Sequence, residues 1–210
     1  MESGLKAEKE LVNHLKQIVL LLTFMFAGFA VCPAQKATPP AAETPAPERT
    51  PANWKEFVSA AGGFSILFPG APSNSVQKIE GGEIHFHRLR TQAEYSVIYA
   101  DSPAPIESEE TARNVLDGGA QGAVASLSGE LLELKEITLV AHPGRALKAK
   151  LPDGKILRAR MFLVRQRLYQ IAITTPAESG SPVEQTTFYE LAASKFLNSF
   201  KLAEAEKTTP

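Results

Sequence analysis

Cysteine is nearly missing from this sequence: one residue, Cys32, in a chain of 210 excludes an internal disulfide and a cysteine-built zinc knuckle. A surplus of charge of either sign is missing as well. With 22 Lys and Arg against 23 Asp and Glu, the formal net charge is −1. The chain therefore lacks the cations that neutralise nucleic-acid phosphates or coat an anionic lipid surface, and no nucleic-acid partner is expected. Signatures of common catalysts are absent too, since there is no GxSxG elbow, no HExxH pair, and neither a GxGxxG nor a Gly-Lys-Ser/Thr phosphate loop. What is there suits one domain with attachments, at 44% hydrophobic and 21% charged residues. Prolines are unevenly spread, with Pro33, Pro39, Pro40, Pro45, Pro47 and Pro51 crowded into one stretch that segments the chain.

The first segment, residues 1–34, is a signal peptide or signal anchor. Gln17 to Gln35 carries no charge, Ile18 to Val31 is almost wholly apolar, and Lys6, Lys9 and Lys16 precede it, the layout of a secretory signal. Cys32-Pro33-Ala34 offers a small-x-small cleavage site, and cleavage after Ala34 removes the only cysteine. Two other fates remain open. Cys32 is an acylation site on the lipoprotein reading, although Val31 stands where such sites carry Gly, Ala or Ser; alternatively the run stays as an anchor, near the lower edge of the about 17–25 residues that span a bilayer. Residues 35–53, rich in Pro and Ala with no large apolar side chain, form a disordered linker. The chain is thus expected to be exported, periplasmic or extracellular, and membrane-proximal or anchored. The tail, 203–210, is polar and frayed.

Residues 54–202 have the texture of a folded domain. Phe64 to Phe68 is a short apolar strand closed by Pro69-Gly70. Ser75–Ile79 and Glu83–Arg90 flank Gly81-Gly82, which predicts a hairpin with a primed turn, and Glu94–Ala100 continues the meander. Ser108–Leu127 repeats apolar residues at helical spacing, and Gly118, Gly119 and Gly122 imply that this helix either breaks near Asp117 or lies close against a sheet. Strands are expected over Leu131–Val140, Arg145–Leu151, Ile156–Val164 and Leu168–Thr174. Between the middle two, Pro152-Asp153-Gly154 suits a three-residue loop with Gly154 left-handed. That register puts Leu147, Ala149, Leu157, Ala159, Met161 and Leu163 on one face and Lys148, Lys150, Arg158 and Arg160 on the other. A last helix starts at Ser181-Pro182-Val183-Glu184, a capping box. Short turns between neighbouring strands make the fold α+β, a mostly antiparallel sheet sandwiched by helices.

Four short stretches, taken together in order and spacing, carry a resemblance. They are Gly62-Gly63-Phe64-Ser65-Ile66-Leu67-Phe68-Pro69-Gly70-Ala71-Pro72, His142-Pro143-Gly144-Arg145, Arg167-Leu168-Tyr169-Gln170 and Phe196-Leu197-Asn198-Ser199-Phe200. This pattern resembles the PsbP/DcrB/Mog1-like superfamily over Trp54 to Leu202. The resemblance implies an antiparallel sheet of about six or more strands between helices, and a protein that works by binding rather than by catalysis. It carries over no partner-binding residue.

Three groups of residues remain as chemical candidates. Glu83, His85 and His87 alternate on one strand face, where two imidazoles and a carboxylate suit a metal, although no further ligand is identifiable and an outward polar face is equally expected. His142 reads as part of a turn rather than as a base, and a triad from Ser65, His142 and Asp101 is an arbitrary combination. The Lys148, Lys150, Arg158 and Arg160 cluster is the candidate surface for a ligand or partner, because like charges facing each other across strands call for carboxylates or an anion. Its plainer reading is a solvated or helix-covered charged face. The functional expectation is a non-catalytic binding or assembly module of the cell envelope, without a cofactor or metal, whose partner is an envelope protein or an anionic ligand. The rival expectation is a metal-dependent or hydrolytic envelope enzyme using the same sheet.

Overall fold

The computed structural model describes residues 53–177 and 183–203. The expected signal segment, nearly all of the expected linker, the expected Ser181-Pro182 cap and the residues beyond Ala203 lie outside the described residues. Among the described residues, ten strands and two helices follow in the order β1 (Lys55–Ser59), β2 (Phe64–Phe68), β3 (Ser73–Ile79), β4 (Gly82–Arg90), β5 (Glu94–Asp101), α1 (Glu109–Ser126), β6 (Glu130–Leu139), β7 (His142–Lys150), β8 (Ile156–Val164), β9 (Arg167–Thr175), α2 (Val183–Asn198) and β10 (Lys201–Leu202). Seven of the strands pair in the order β3-β4-β5-β9-β8-β7-β6, and β1-β2-β10 form a smaller sheet. Every pairing is antiparallel. The mostly antiparallel α+β architecture with two helices is therefore as expected, whereas the separate three-stranded sheet is not legible in the sequence.

The loop argument at Pro152-Asp153-Gly154 holds in detail. Lys148 faces Arg158 and Lys150 faces Ile156, the Leu151 amide bonds the Lys155 carbonyl at 2.8 Å, and Gly154 has φ 80°. Two other turns differ from expectation. Ile79 already pairs with Gly82, so the β3–β4 turn is Glu80-Gly81, and only Gly81 takes a positive φ. His142 pairs with Leu139, which makes it the first residue of β7 rather than a turn residue. The turn is Val140-Ala141.

Two cores lie on opposite faces of the large sheet. On one face α1 packs over β6, β7 and β8, its N-terminus capped by the Ser108 hydroxyl, which accepts from the Thr111 amide at 3.0 Å. The helix is continuous through its glycines, with Gly119, Ala120 and Ala123 buried. Small residues let the helix axis approach the sheet, and this offsets their poor helix propensity. The core beneath it is almost wholly aliphatic, with Phe86 its one aromatic. The opposite face carries the small sheet and α2, and its core is aromatic: Phe64, Phe68, Tyr95, Tyr99, Phe162, Tyr169, Phe196 and Phe200 all contribute. Large rings fill the deeper space that a second sheet and a helix leave above the strands.

Candidate functional site

The cationic face lies where the register predicted; Glu190 pairs with it, while Glu130 and Glu133 stand across from its lysines in register, Glu133 making an ion pair with Lys135. Strand β6 slips by one residue between Leu131 and Glu133, so that Glu130 faces Lys150 and Glu133 faces Lys148. Without that bulge the acidic residues would fall out of step with the lysines. From the other side α2 brings Glu190 onto the Arg158 guanidinium, which also donates to Thr175 Oγ1 at 3.3 Å. Arg160 donates to the Leu197 carbonyl at 3.1 Å and to Asn198 Oδ1 at 2.6 Å. It thereby caps the C-terminal end of α2, where unpaired carbonyls favour a cation. Two of the four candidates, Arg158 and Arg160, thus hold a helix; Lys148 is half-buried and Lys150 exposed.

The histidines share a face, yet that face is not the outer one. His87 is buried beneath Phe57 and Phe64, with ring centroids 4.8 and 5.6 Å away. Its Nδ1 lies 2.7 Å from Asn74 Oδ1, and among the described residues its Nε2 has no hydrogen-bond partner. Burial, and then the neighbouring His85, pull its pKa below the ordinary value. His85 stacks flat on Tyr99 at 4.5 Å, with its Nε2 3.7 Å from Glu83 Oε2. Among the described residues no three His, Cys, Asp or Glu side chains gather to hold a metal ion. The polar pair actually built at this end is Asp101 and Arg167, joined at 2.6 and 2.7 Å; the guanidinium holds the Asp101 carboxyl below the usual range. Arg167 also donates to the Ala61 carbonyl at 2.8 Å, and the Tyr169 hydroxyl to the Gly62 carbonyl at 2.7 Å. These bonds fasten the β1–β2 turn to the large sheet.

A cavity of about 660 Å³ opens at the edge of the α1 face, between the N-terminus of α1 and the β6–β7 hairpin. Ile106, Ala112 and Leu163 give it an apolar floor, and Glu136, His142, Arg145 and Arg165 line it with polar groups. Arg145 is almost fully buried. Its Nε lies 2.5 Å from Asp117 Oδ1, its Nη2 3.2 Å from Glu136 Oε1, and its Nη1 donates to the Gly144 carbonyl at 3.1 Å. A buried guanidinium needs such partners, and here they pin α1 to β6. Gly144 permits the close fit, because a Cβ there would come within 2.4 Å of the Met161 carbonyl oxygen and 2.5 Å of the Phe162 ring. Ala141 and Arg165 bring two hairpin turns to its lining. Arg165 and Val140, the latter 88% exposed beside Ala141 and not itself part of the lining, both have φ 57°, a left-handed conformation unfavourable for a β-branched residue. Neither Ser65 nor Asp101 lines the cavity where His142 stands.

Sequence reasoning missed Arg165 as a site residue. The available signal was the spacing between strands, since a tight two-residue loop without Gly forces positive φ onto whatever residue occupies it.

No family model and no curated protein matches the chain. Among solved structures it is similar to the solution structure of cyanobacterial PsbP (CyanoP) from Synechocystis sp. PCC 6803, at 14% identity and a TM-score of 0.51, over 76% of this chain and 98% of that one. At that identity the likeness concerns the fold alone: the described part of the chain has a PsbP-like fold.

Proposed function

We propose that this chain is an exported, membrane-proximal binding or assembly module of the cell envelope, and that it acts without catalysis. On this reading the helices on the two faces of the large sheet follow the PsbP-like sandwich, and the linker of residues 35–53 holds the domain off the membrane. The observation that carries the proposal is the cavity end of the sheet. Its charged groups are largely committed to one another, Arg145 to Asp117 and Glu136, and Arg113 to Glu109. Its Ser108 hydroxyl is spent on the helix cap. A preformed recess with an apolar floor and a left-handed Arg165 in its lining suits recognition, because strain of this kind persists where a surface has a task.

The test is affinity capture with the full chain from bacterial envelope extract, beside the variants Arg165→Glu and His142→Ala, with mass spectrometry of the mature N-terminus. A partner retained by the parent chain and lost with both variants supports the module. Hydrolysis or metal-dependent turnover by the purified chain overturns it. The N-terminal mass separates cleavage after Ala34, acylation at Cys32 and a retained anchor.

A further inference from the structure

The charges that line the cavity beside α1 are balanced and nearly all used. Three guanidiniums, Arg113, Arg145 and Arg165, stand against three carboxylates, Glu107, Glu109 and Glu136. Arg113 is taken by Glu109 at 3.2 Å, and the buried Arg145 by Asp117 and Glu136. One charge of each sign is left over, because neither Glu107 nor Arg165 makes an ion pair with a described residue. The two belong to different walls. Glu107 follows Ile106 on the segment that leads into α1, whereas Arg165 lies in the β8–β9 turn just beyond Leu163. The fold ties these walls together, since the Ser102 amide at the start of the first donates to the Gln166 carbonyl of the second at 2.6 Å. Between them lies the apolar floor of Ile106, Ala112 and Leu163. Arg165 is held there at φ 57°, strain of the kind that collects at ligand clamps.

We infer that this cavity binds a short apolar peptide by both of its ends, with the ammonium toward Glu107, the carboxylate toward Arg165 and a side chain on the floor. This rests on the reading of the cavity as a recognition site, and it names the ligand class. Charge decides between the candidates. An anion would answer Arg165 but bring a like charge beside Glu107, and a cation would do the reverse, so the ligand carries both signs. The tail of a protein supplies one terminus and leaves the other charge unanswered. An uncharged apolar molecule covers the floor and pairs with neither group. A single amino acid holds its two charges on one carbon, whereas here they are met from separate walls. The volume of about 660 Å³ lies within the roughly 300–1,000 Å³ of small-molecule pockets.

The full chain in phospholipid nanodiscs, titrated calorimetrically against empty nanodiscs, is expected to bind leucyl-leucine. Acetylating the amino end or amidating the carboxyl end should each weaken binding by about tenfold. In Glu107→Gln the affinity should cease to respond to acetylation and still respond to amidation; in Arg165→Gln the two responses should exchange. Both side chains are exposed, and the blocked peptides test the parent chain without any substitution. Glycylglycine, which leaves the floor uncovered, should bind at least about tenfold more weakly than leucyl-leucine. No binding, or binding indifferent to either block, overturns the inference, as does free leucine bound as tightly as the dipeptide. Failure of the dipeptide while capture of an envelope protein still depends on Arg165 overturns the ligand class alone. Failure of both overturns the reading of the cavity as well.

Discussion

Val140, Gly144 and His87 show how much single residues carry here. Val140 is held at φ 57° at an exposed tip where its side chain packs on little. Val140→Asn is expected to stabilise the fold by roughly 0.5–1 kcal/mol, since asparagine tolerates this conformation and valine does not. Urea unfolding would read that gain, and an unchanged midpoint would contradict the strain argument. Gly144 predicts the opposite. Gly144→Ala drives a methyl group into the Met161 carbonyl and the Phe162 ring, with an expected loss of about 1–3 kcal/mol.

His87 sets a pH dependence. Its folded pKa is depressed by burial, so the unfolded chain binds the proton first as pH falls. The contribution of His87 is therefore complete above its unfolded value of 6.5 and is lost as pH drops below it, until the folded pKa is passed. Urea midpoints measured between pH 8 and pH 5 should decline through this window, and His87→Phe should flatten the decline. The depressed carboxyl of Asp101 stabilises the fold fully above its unfolded value of 3.8 and loses that contribution only as pH falls below it, so it adds no slope between pH 8 and pH 5. Of these residues the sequence singled out His87 for a metal site on an outward strand face, Gly144 only within a stretch of the family resemblance, and Asp101 only in an arbitrary triad. The alternation was legible; the second sheet that buries this face was not, because its strands lie far from β4 in the chain.

At the scale of elements, charge placement explains why α2 sits where it does. Arg160 caps its C-terminal end and Arg158 takes Glu190. Arg160→Ala is expected to cost about 1–3 kcal/mol, because it strips a charge-assisted bond from half-buried helix carbonyls. Glu190→Ala should cost less than about 1 kcal/mol, since that carboxylate is half exposed. Thermal melting of both variants checks the ordering. The sequence predicted the cationic face and its register correctly, down to the left-handed Gly154. Periodicity could not show what would cover that face. The bulge that aligns Glu130 and Glu133 with the lysines is a property of pairing between strands, and α2 arrives from a distant part of the chain. Helix α1 was legible in both its face and its glycines, since the alternatives were a break or a close approach and the sheet selected the second.

For the whole molecule, the stretches that carry the family resemblance turn out to be couplers between layers. Gly62 and Gly63 shape the β1–β2 turn that Arg167 and Tyr169 hold. Gly144 admits the Phe162 ring, which stacks on Phe200 at 6.1 Å. Ser199 accepts from the Leu67 amide at 3.0 Å and donates to the Phe196 carbonyl at 2.7 Å. Such residues specify a fold and leave the function unspecified, consistent with a solved neighbour alike in architecture at 14% identity. A sheet in which β5 pairs with β9 across a large sequence separation has high contact order, so refolding is expected in milliseconds to seconds rather than microseconds, as stopped-flow fluorescence would record.

By itself the sequence determined what depends on neighbours along the chain: the strand and helix periods, the three-residue loop, and the apolar and cationic faces. Only the tertiary structure decided which faces meet. It buried His87 under a second sheet, set carboxylates across from the lysines, and assembled the cavity around Arg145. It also brought Glu107 and Arg165 to the lining of that cavity. The reason is physical, since alternation and turn chemistry are encoded within a few residues, whereas burial, ion pairing and cavities are set by contacts between segments far apart in sequence.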